Sequence, residues 1–476
     1  MRSFLHGGDL DRVFNPRSVA VVGDKKANDY MWLRSLSTFK GKVYSVQIDP
    51  EELLEIERLG IENYSSLLDI PQPVDYVVVA VPRAVAPQIV SDCIKKQVGG
   101  ATLFTSGFAE ANTEEGTRLE LDIAKMAKES NFNLIGPNCM GVFNPRIGLR
   151  HDIGQYSEEG GSVGFVSQSG THAILFSLVG EPNGIKVSKA VSYGNGAVLD
   201  STDYLEYLDN DEETKIIGMY VEGVKDGRRF FQCLKETAKR KPVLIWKGGR
   251  SEEGARAAAS HTGSLASTPA LWENVIRQCG AIKVDNLDEM IDAVKALLYL
   301  KPPAGNRVGL VAGSGGQSVV ITDAFTHEGL AVPLLTGRSY QEFASFFNVI
   351  GGSYLNPLDI SWNMLAAEDL VKILNIVSGD ENIDSAVFEL SVPFLSQIWE
   401  YYPSYLDTLL GTLVGFRATC AKCFSIVLIA GQREAEALEI RRKLIEMGLP
   451  SFPTFERAAK ALKKIVDYYR FHGDQD

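Results

Sequence analysis

Three times along the chain, a short run of aliphatic residues ends in a glycine turn and leads straight into a helix-like stretch. The runs are RSVAVVG at 17–23, SVGFVSQSG at 162–170 and RVGLVAGSGG at 307–316. A strand that is apolar on both sides must be buried on both sides, which happens in parallel sheets sandwiched by helices. Further apolar runs at 42–46, 76–81, 100–104 and 133–135 alternate with helix-like stretches at 84–97 and 114–130. This alternation predicts a first α/β domain over residues 1–150. IIGMYVEG and KPVLIWKGG continue the second series up to KPPAGN near residue 301, a proline- and glycine-rich punctuation. The second domain is therefore expected over 151–300 and the third over 301–476. The third holds the strand-like runs SAVFELSV and FSIVLIAG and a mostly helical tail from 434 to 472. The second and third share one layout and are read as two related flavodoxin-like domains.

In open parallel sheets, ligands sit at the carboxyl ends of the strands, where glycine lets the backbone approach and the next helix offers free N–H groups. Four places qualify. The first is Gly23, followed by Asp24, Lys25 and Lys26. It is not GxGxxG, so the dinucleotide fingerprint is absent, but the lysines could pair with phosphate. The second and third are SQSG (Ser167, Gln168, Ser169, Gly170) and GSGG (Gly313, Ser314, Gly315, Gly316), each expected at a helix N-terminus. Two such helix ends aimed at one point would hold a dianion. The fourth is GPNCMG, where Asn138 and Cys139 could face a ligand and where a plain turn with a buried cysteine is the alternative.

His261 lies in SHTGS, among small and hydroxyl residues. It could act as a base, a ligand or a nucleophile. No second His or Cys stands at metal-ligand spacing, so no metal site is expected. A nucleophilic histidine needs a partner on its other nitrogen, and Glu222, at the end of IIGMYVEG, is a candidate. CAKC at 420–423 has no second ligand pair and precedes a strand, so neither a zinc nor a redox role is expected.

Charge and composition narrow the function class. With 48 basic and 60 acidic residues the net charge is −12, which argues against a nucleic-acid partner. No apolar run reaches membrane-spanning length, and the start lacks a signal-peptide core. Six scattered cysteines are not a secreted disulfide pattern, so a cytoplasmic location is expected.

Together, SVAVVG, VDYVVVAVP, TSGFAE, IGPNCMG, GFVSQSG, SYGNG, YVEG, KPVLIWKGGR, SHTGSLA, GSGG and NPLDI resemble, in order, the alpha subunit of the ADP-forming acyl-CoA synthetases, relatives of succinyl-CoA synthetase. The resemblance implies a Rossmann-like coenzyme A (CoA) domain followed by two succinyl-CoA-synthetase-type domains. It makes His261 the transiently phosphorylated residue and Glu222 the acid that orients it. Ser167 to Gly170 and Gly313 to Gly316 become the phosphate-holding helix ends. Gly23, Asp24, Lys25, Lys26, Val81, Pro82, Thr105 and Ser106 match regions lining CoA, and Asn138 and Cys139 the stretch near the thioester. It implies that ADP or ATP, with Mg, binds a separate ATP-grasp beta subunit, giving a hetero-oligomer that acts on CoA, phosphate and a small carboxylic acid. The competing reading is a CoA-binding sensor or scaffold without turnover. Three departures stand out: DKKAND after Gly23, where Asp24 would repel phosphate unless its side chain turns away; Thr171 and His172 after SQSG; and serine at the end of SHTGSLAS.

Overall fold

The computed structural model describes residues 10–254, 256, 269–364 and 366–473. These form two compact units. One runs to Glu181 and resumes over Ile185–Leu287; the other takes Pro182–Gly184 and the chain from Asp288 onward.

The first unit holds two sheets. The first sheet is built from β1 (Ser18–Val22), β2 (Lys42–Val46), β3 (Glu62–Tyr64), β4 (Tyr76–Val79), β5 (Gly100–Leu103) and β6 (Asn133–Ile135). Its order is β3-β2-β1-β4-β5-β6 and every neighbouring pair is parallel. This is the Rossmann order, with the reversal between β1 and β4. The central strands β1 (SVAVV) and β4 (YVVV) are buried at every position because both faces are covered. Val19 and Val21 of β1 pack with Trp32 and Leu33 on one side, whereas Ala20 and Val22 pack with Ala86 and Val90 on the other.

The second sheet contains β7 (Gly141–Phe143), β8 (Val163–Ser167), β9 (Val187–Ser192), β10 (Ile216–Val221), β11 (Val243–Lys247) and β12 (Ile282–Val284), in the order β12-β11-β10-β8-β9-β7. All pairs are parallel except β7, which runs antiparallel to β9. β7 thus joins the second sheet although it lies before residue 150. β9 is hard to see in the sequence because VSKAVS carries a lysine. Lys189 is nonetheless buried, its ammonium 2.8 Å from Asp211 and 2.9 Å from Glu213.

The second unit has one sheet: β13 (Val308–Ala312), β14 (Leu358–Asp359), β15 (Ser385–Ser391), β16 (Cys423–Ile429) and β17 (Ser451–Phe452), in the order β14-β13-β15-β16-β17, all parallel. Setting β7 aside, the second and third sheets share the 2-1-3-4-5 order of flavodoxin-like folds, as the common layout suggested. The switch points fall between β8 and β10 and between β13 and β15.

The two helix expectations are met, each with a break. The stretch after Gly23 forms a 3₁₀ turn (Lys26–Asn28), the short helix Met31–Ser35 and a second 3₁₀ turn (Leu36–Thr38), with left-handed backbone angles at Asp29 and Tyr30. The tail forms two helices, Glu434–Glu446 and Phe455–Gly473, separated by β17. Among the described residues, no helix is long and apolar enough to cross a membrane.

Candidate active site

At the carboxyl edge of the first sheet, Gly23 has φ +86°, and a Cβ there would lie 2.6 Å from Val81 Cγ1. Only glycine lets β1 turn this close to β4. Asp24 is buried, with its carboxylate turned onto backbone N–H groups. It accepts from the Leu33 N–H at 2.9 Å and the Lys25 N–H at 3.1 Å. Burial raises its pKa against the pull of those backbone donors. Lys25 and Lys26 stay exposed, and the Lys26 N–H is held by Glu52 at 2.8 Å. Thr105 Oγ1 donates to the Val81 carbonyl at 2.6 Å, tying the ends of β4 and β5 together beside Pro82 and Ser106.

GPNCMG follows β6. Asn138 has φ +60°, and its N–H donates to the Thr105 carbonyl at 3.1 Å. Cys139 is buried, its thiol directed at the Leu103 carbonyl and pushed well up by burial. It packs in the core, whereas Asn138 and Met140 of the same loop are only half-buried. SYGNG packs directly on the loop: the Asn195 N–H reaches the Pro137 carbonyl at 3.0 Å and the Ala197 N–H reaches Gly136 at 2.9 Å. Asn195 Nδ2 donates to Glu110 at 2.6 Å and Glu120 at 2.8 Å. Glu110 in turn holds the Phe108 N–H at 3.2 Å. TSGFAE, GPNCMG and SYGNG, far apart in sequence, therefore make one interlocked edge. The roles of Glu110 and Asn195 were not read from the sequence, since neither carries a local signal.

At the second sheet, Ser169 caps helix Gly170–Gly180, its hydroxyl accepting from the His172 N–H at 3.4 Å. Ser167 and Gln168 are buried and turned to structural use. Ser167 Oγ donates to the Ser169 carbonyl at 2.6 Å. Gln168 Oε1 accepts the N–H groups of Glu222 at 2.8 Å and Gly223 at 3.2 Å. The SQSG and YVEG motifs thus meet at the β8–β10 switch point. Glu222 is buried, and Tyr220 donates to its Oε1 at 3.1 Å. The His172 ring lies 4.4 Å from both Tyr220 and Trp246, and burial lowers its pKa while the charge of Glu222 opposes the shift. His261 lies outside the described residues.

In the second unit, Ser314 caps helix Gly315–His327, its hydroxyl 3.4 Å from the Gln317 N–H. The Gly313 N–H donates to Glu389 Oε2 at 2.9 Å. Glu389, on β15, is only 1% exposed, and Asp359 sits beside Gly315. Glu389 was missed in the sequence because it stands inside an apolar strand. Among the described residues, no group of three or more His, Cys, Asp or Glu side chains is placed to hold a metal ion.

Residues 17–145 match the CoA binding domain family, and residues 160–297 match the succinyl-CoA ligase like flavodoxin domain. The chain is similar to the alpha subunit of acetate–CoA ligase [ADP-forming] I of Pyrococcus furiosus, with 34% identity over 97% of this chain and 98% of that one. It is 34% identical to acetate–CoA ligase [ADP-forming] I of Archaeoglobus fulgidus over 96% of its own length, but spans only 64% of that relative. Among solved structures, the dinucleotide forming acetyl-coenzyme A synthetase 1 of Ca. Korarchaeum cryptofilum, in complex with phosphate and ADP, superposes with a TM-score of 0.82 at 30% identity, covering 98% of each chain. A parallel α/β chain with a CoA-binding fold and two flavodoxin-like sheets is of the acyl-CoA ligase class. The chain belongs to the family of ADP-forming acetate–CoA ligases.

Proposed function

We propose that this chain is the alpha part of an ADP-forming acyl-CoA synthetase and carries its CoA and phosphohistidine half-reactions. Acyl-CoA and phosphate exchange to give a bound acyl phosphate and free CoA. His261 then attacks the phosphoryl group, the carboxylic acid leaves, and the phosphoryl group passes from His261 to ADP. Run backwards, the cycle activates an acid. Positioning and fixed dipoles supply most of the catalysis in phosphoryl transfer, and CoA supplies the thiol.

The observation that carries this reading is Gln168, which splints the SQSG loop to Glu222 at a sheet switch point. It sets a helix N-terminus beside a buried carboxylate, the pairing an anion and a neutral nucleophilic imidazole require. Gly23, Val81, Pro82, Thr105 and Ser106 offer a close backbone approach for CoA, with Lys25 and Lys26 exposed for its phosphates and Asn138 toward the thioester. Ser169, Gly170 and the Gly313–Gly316 loop contribute the phosphate donors. ADP or ATP with Mg belongs to an ATP-grasp beta subunit. Two observations favour that division: some relatives are alpha subunits, and the chain spans part of a longer one.

The test is to incubate the full chain with a panel of acyl-CoAs and radiolabelled phosphate, beside His261→Ala. Acid-labile, base-stable label on the wild type alone is expected, and the best acyl-CoA identifies the substrate. No label with any acyl-CoA, even after an ATP-grasp subunit is added, leaves a non-catalytic CoA-binding module as the better reading.

A further inference from the structure

A carboxyl group stands where the second glycine loop should receive an anion. The Gly313 N–H, one of the donors at that loop, is already taken by Glu389 Oε2 at 2.9 Å. Glu389 is 1% exposed, and its Oε1 has no hydrogen-bond partner among the described residues. Helix Gly315–His327 begins two residues later and runs for 13 residues, so its N-terminal N–H groups and dipole favour negative charge at the same place. An ionised Glu389 would serve as the site's own anion and repel another. A protonated Glu389 reverses this, because a carboxylic acid adds an O–H donor where the carboxylate only accepts.

We propose that Glu389 is a proton gate for this loop, which takes a phosphate-class dianion only while the Glu389 carboxyl carries its proton. The proposal rests on the reading that the loop holds phosphate. The surroundings favour the protonated form. Burial raises the carboxyl's pKa against the pull of the Gly313 N–H, and the Asp359 carboxylate adds to the rise. Among the described residues, Asp359 is the ionisable group that acts on it; the neighbouring strand β16 sets apolar Val427 opposite. The first unit treats the matching strand differently. There the residue paired with the last residue of the loop strand is Tyr220, a neutral donor, and the acid Glu222 comes two residues later. The two glycine loops are thus chemically unlike: in the second a carboxyl takes a loop N–H directly, whereas in the first Glu222 meets the loop through Gln168.

The test uses sulfate, a dianion that does not titrate near neutrality, on the full chain. Its affinity is measured by calorimetry from mildly acid to mildly alkaline pH, for wild type and Glu389→Gln. Above the ionisation of Glu389, wild-type affinity should fall by about tenfold per pH unit, the slope of one linked proton. Glu389→Gln, which keeps an acceptor for the Gly313 N–H, should show no such fall. A flat wild-type profile, or the same slope in the variant, overturns the gate. Difference infrared spectroscopy provides a second readout. Adding sulfate should strengthen a carboxylic-acid carbonyl band in wild type that the variant lacks, and absence of that band while sulfate binds also overturns it. A flat profile alongside acyl-CoA-dependent labelling would sink the gate and leave the synthetase reading intact. A sloped profile without labelling would do the reverse.

Discussion

The phenol of Tyr220 donates to Oε1 of Glu222 across 3.1 Å, from two residues back along the chain, and its own ring packs against His172 and Trp246. If Glu222 orients the phosphorylated histidine, Tyr220 acts through it. Tyr220→Phe should slow labelling of the chain by about tenfold, the kinetic equivalent of one hydrogen bond to a charged group. It should leave the KM for acyl-CoA unchanged. In a Glu222→Gln background the same substitution should cost nothing more. Equal losses in both backgrounds would show a purely structural role.

Asp24 repels phosphate unless its side chain turns away, and here its carboxylate is spent on the N–H groups of Lys25 and Leu33. Asp24→Ala strands those two donors, of which the Leu33 N–H is buried. It should lower stability by about 1–3 kcal/mol in urea titrations and weaken CoA binding through loss of the loop. Tighter CoA binding at unchanged stability would mean that the carboxylate does face the ligand.

His151 is wholly buried beside Phe143, and burial pushes its imidazole down to about 4, only partly offset by Asp152 and the Met140 and Gly141 backbone. A depressed histidine contributes stability above its unfolded value, about 6.5, which is lost as pH falls towards about 4. The full loss is about 3 kcal/mol for the 2.5-unit difference between those two values. Denaturant titrations at neutral and mildly acid pH should therefore show a steeper fall for wild type than for His151→Leu. Parallel curves would remove this group from the acid sensitivity.

Lys189 crosses the interior of β9 to reach Asp211 and Glu213. Truncation to Ala leaves Asp211 partly buried without its cation. The expected cost is about 3 kcal/mol, near the low end for breaking a buried pair. Lys189→Met with Asp211→Asn should recover most of it. An unstable double variant, measured by thermal unfolding, would place the loss in packing instead.

Much of the architecture was legible because it is local. Runs such as VAVV and VGFV are apolar at every position, so they are buried on both faces. Ser169 and Ser314 cap their helices with hydroxyls one residue ahead of the first turn. Gly23 announces a backbone bend that no side chain tolerates. These features depend on neighbours in the chain, and from them came the three α/β layouts, the glycine loops and Glu222 at a strand end.

Tertiary structure decided what depends on partners far along the chain. Strand order put β8 beside β10 and β13 beside β15, so that Gln168 meets Glu222 and Gly313 meets Glu389. Pairing with β9 drew β7 into the second sheet, and two distant acids allowed a lysine inside β9. Asp24 turned inward because unpaired N–H groups of a short helix lay within its reach. A residue type states which bonds a side chain is able to make. Only the packed fold, where unmet donors and buried charges are costly, determines which of them form.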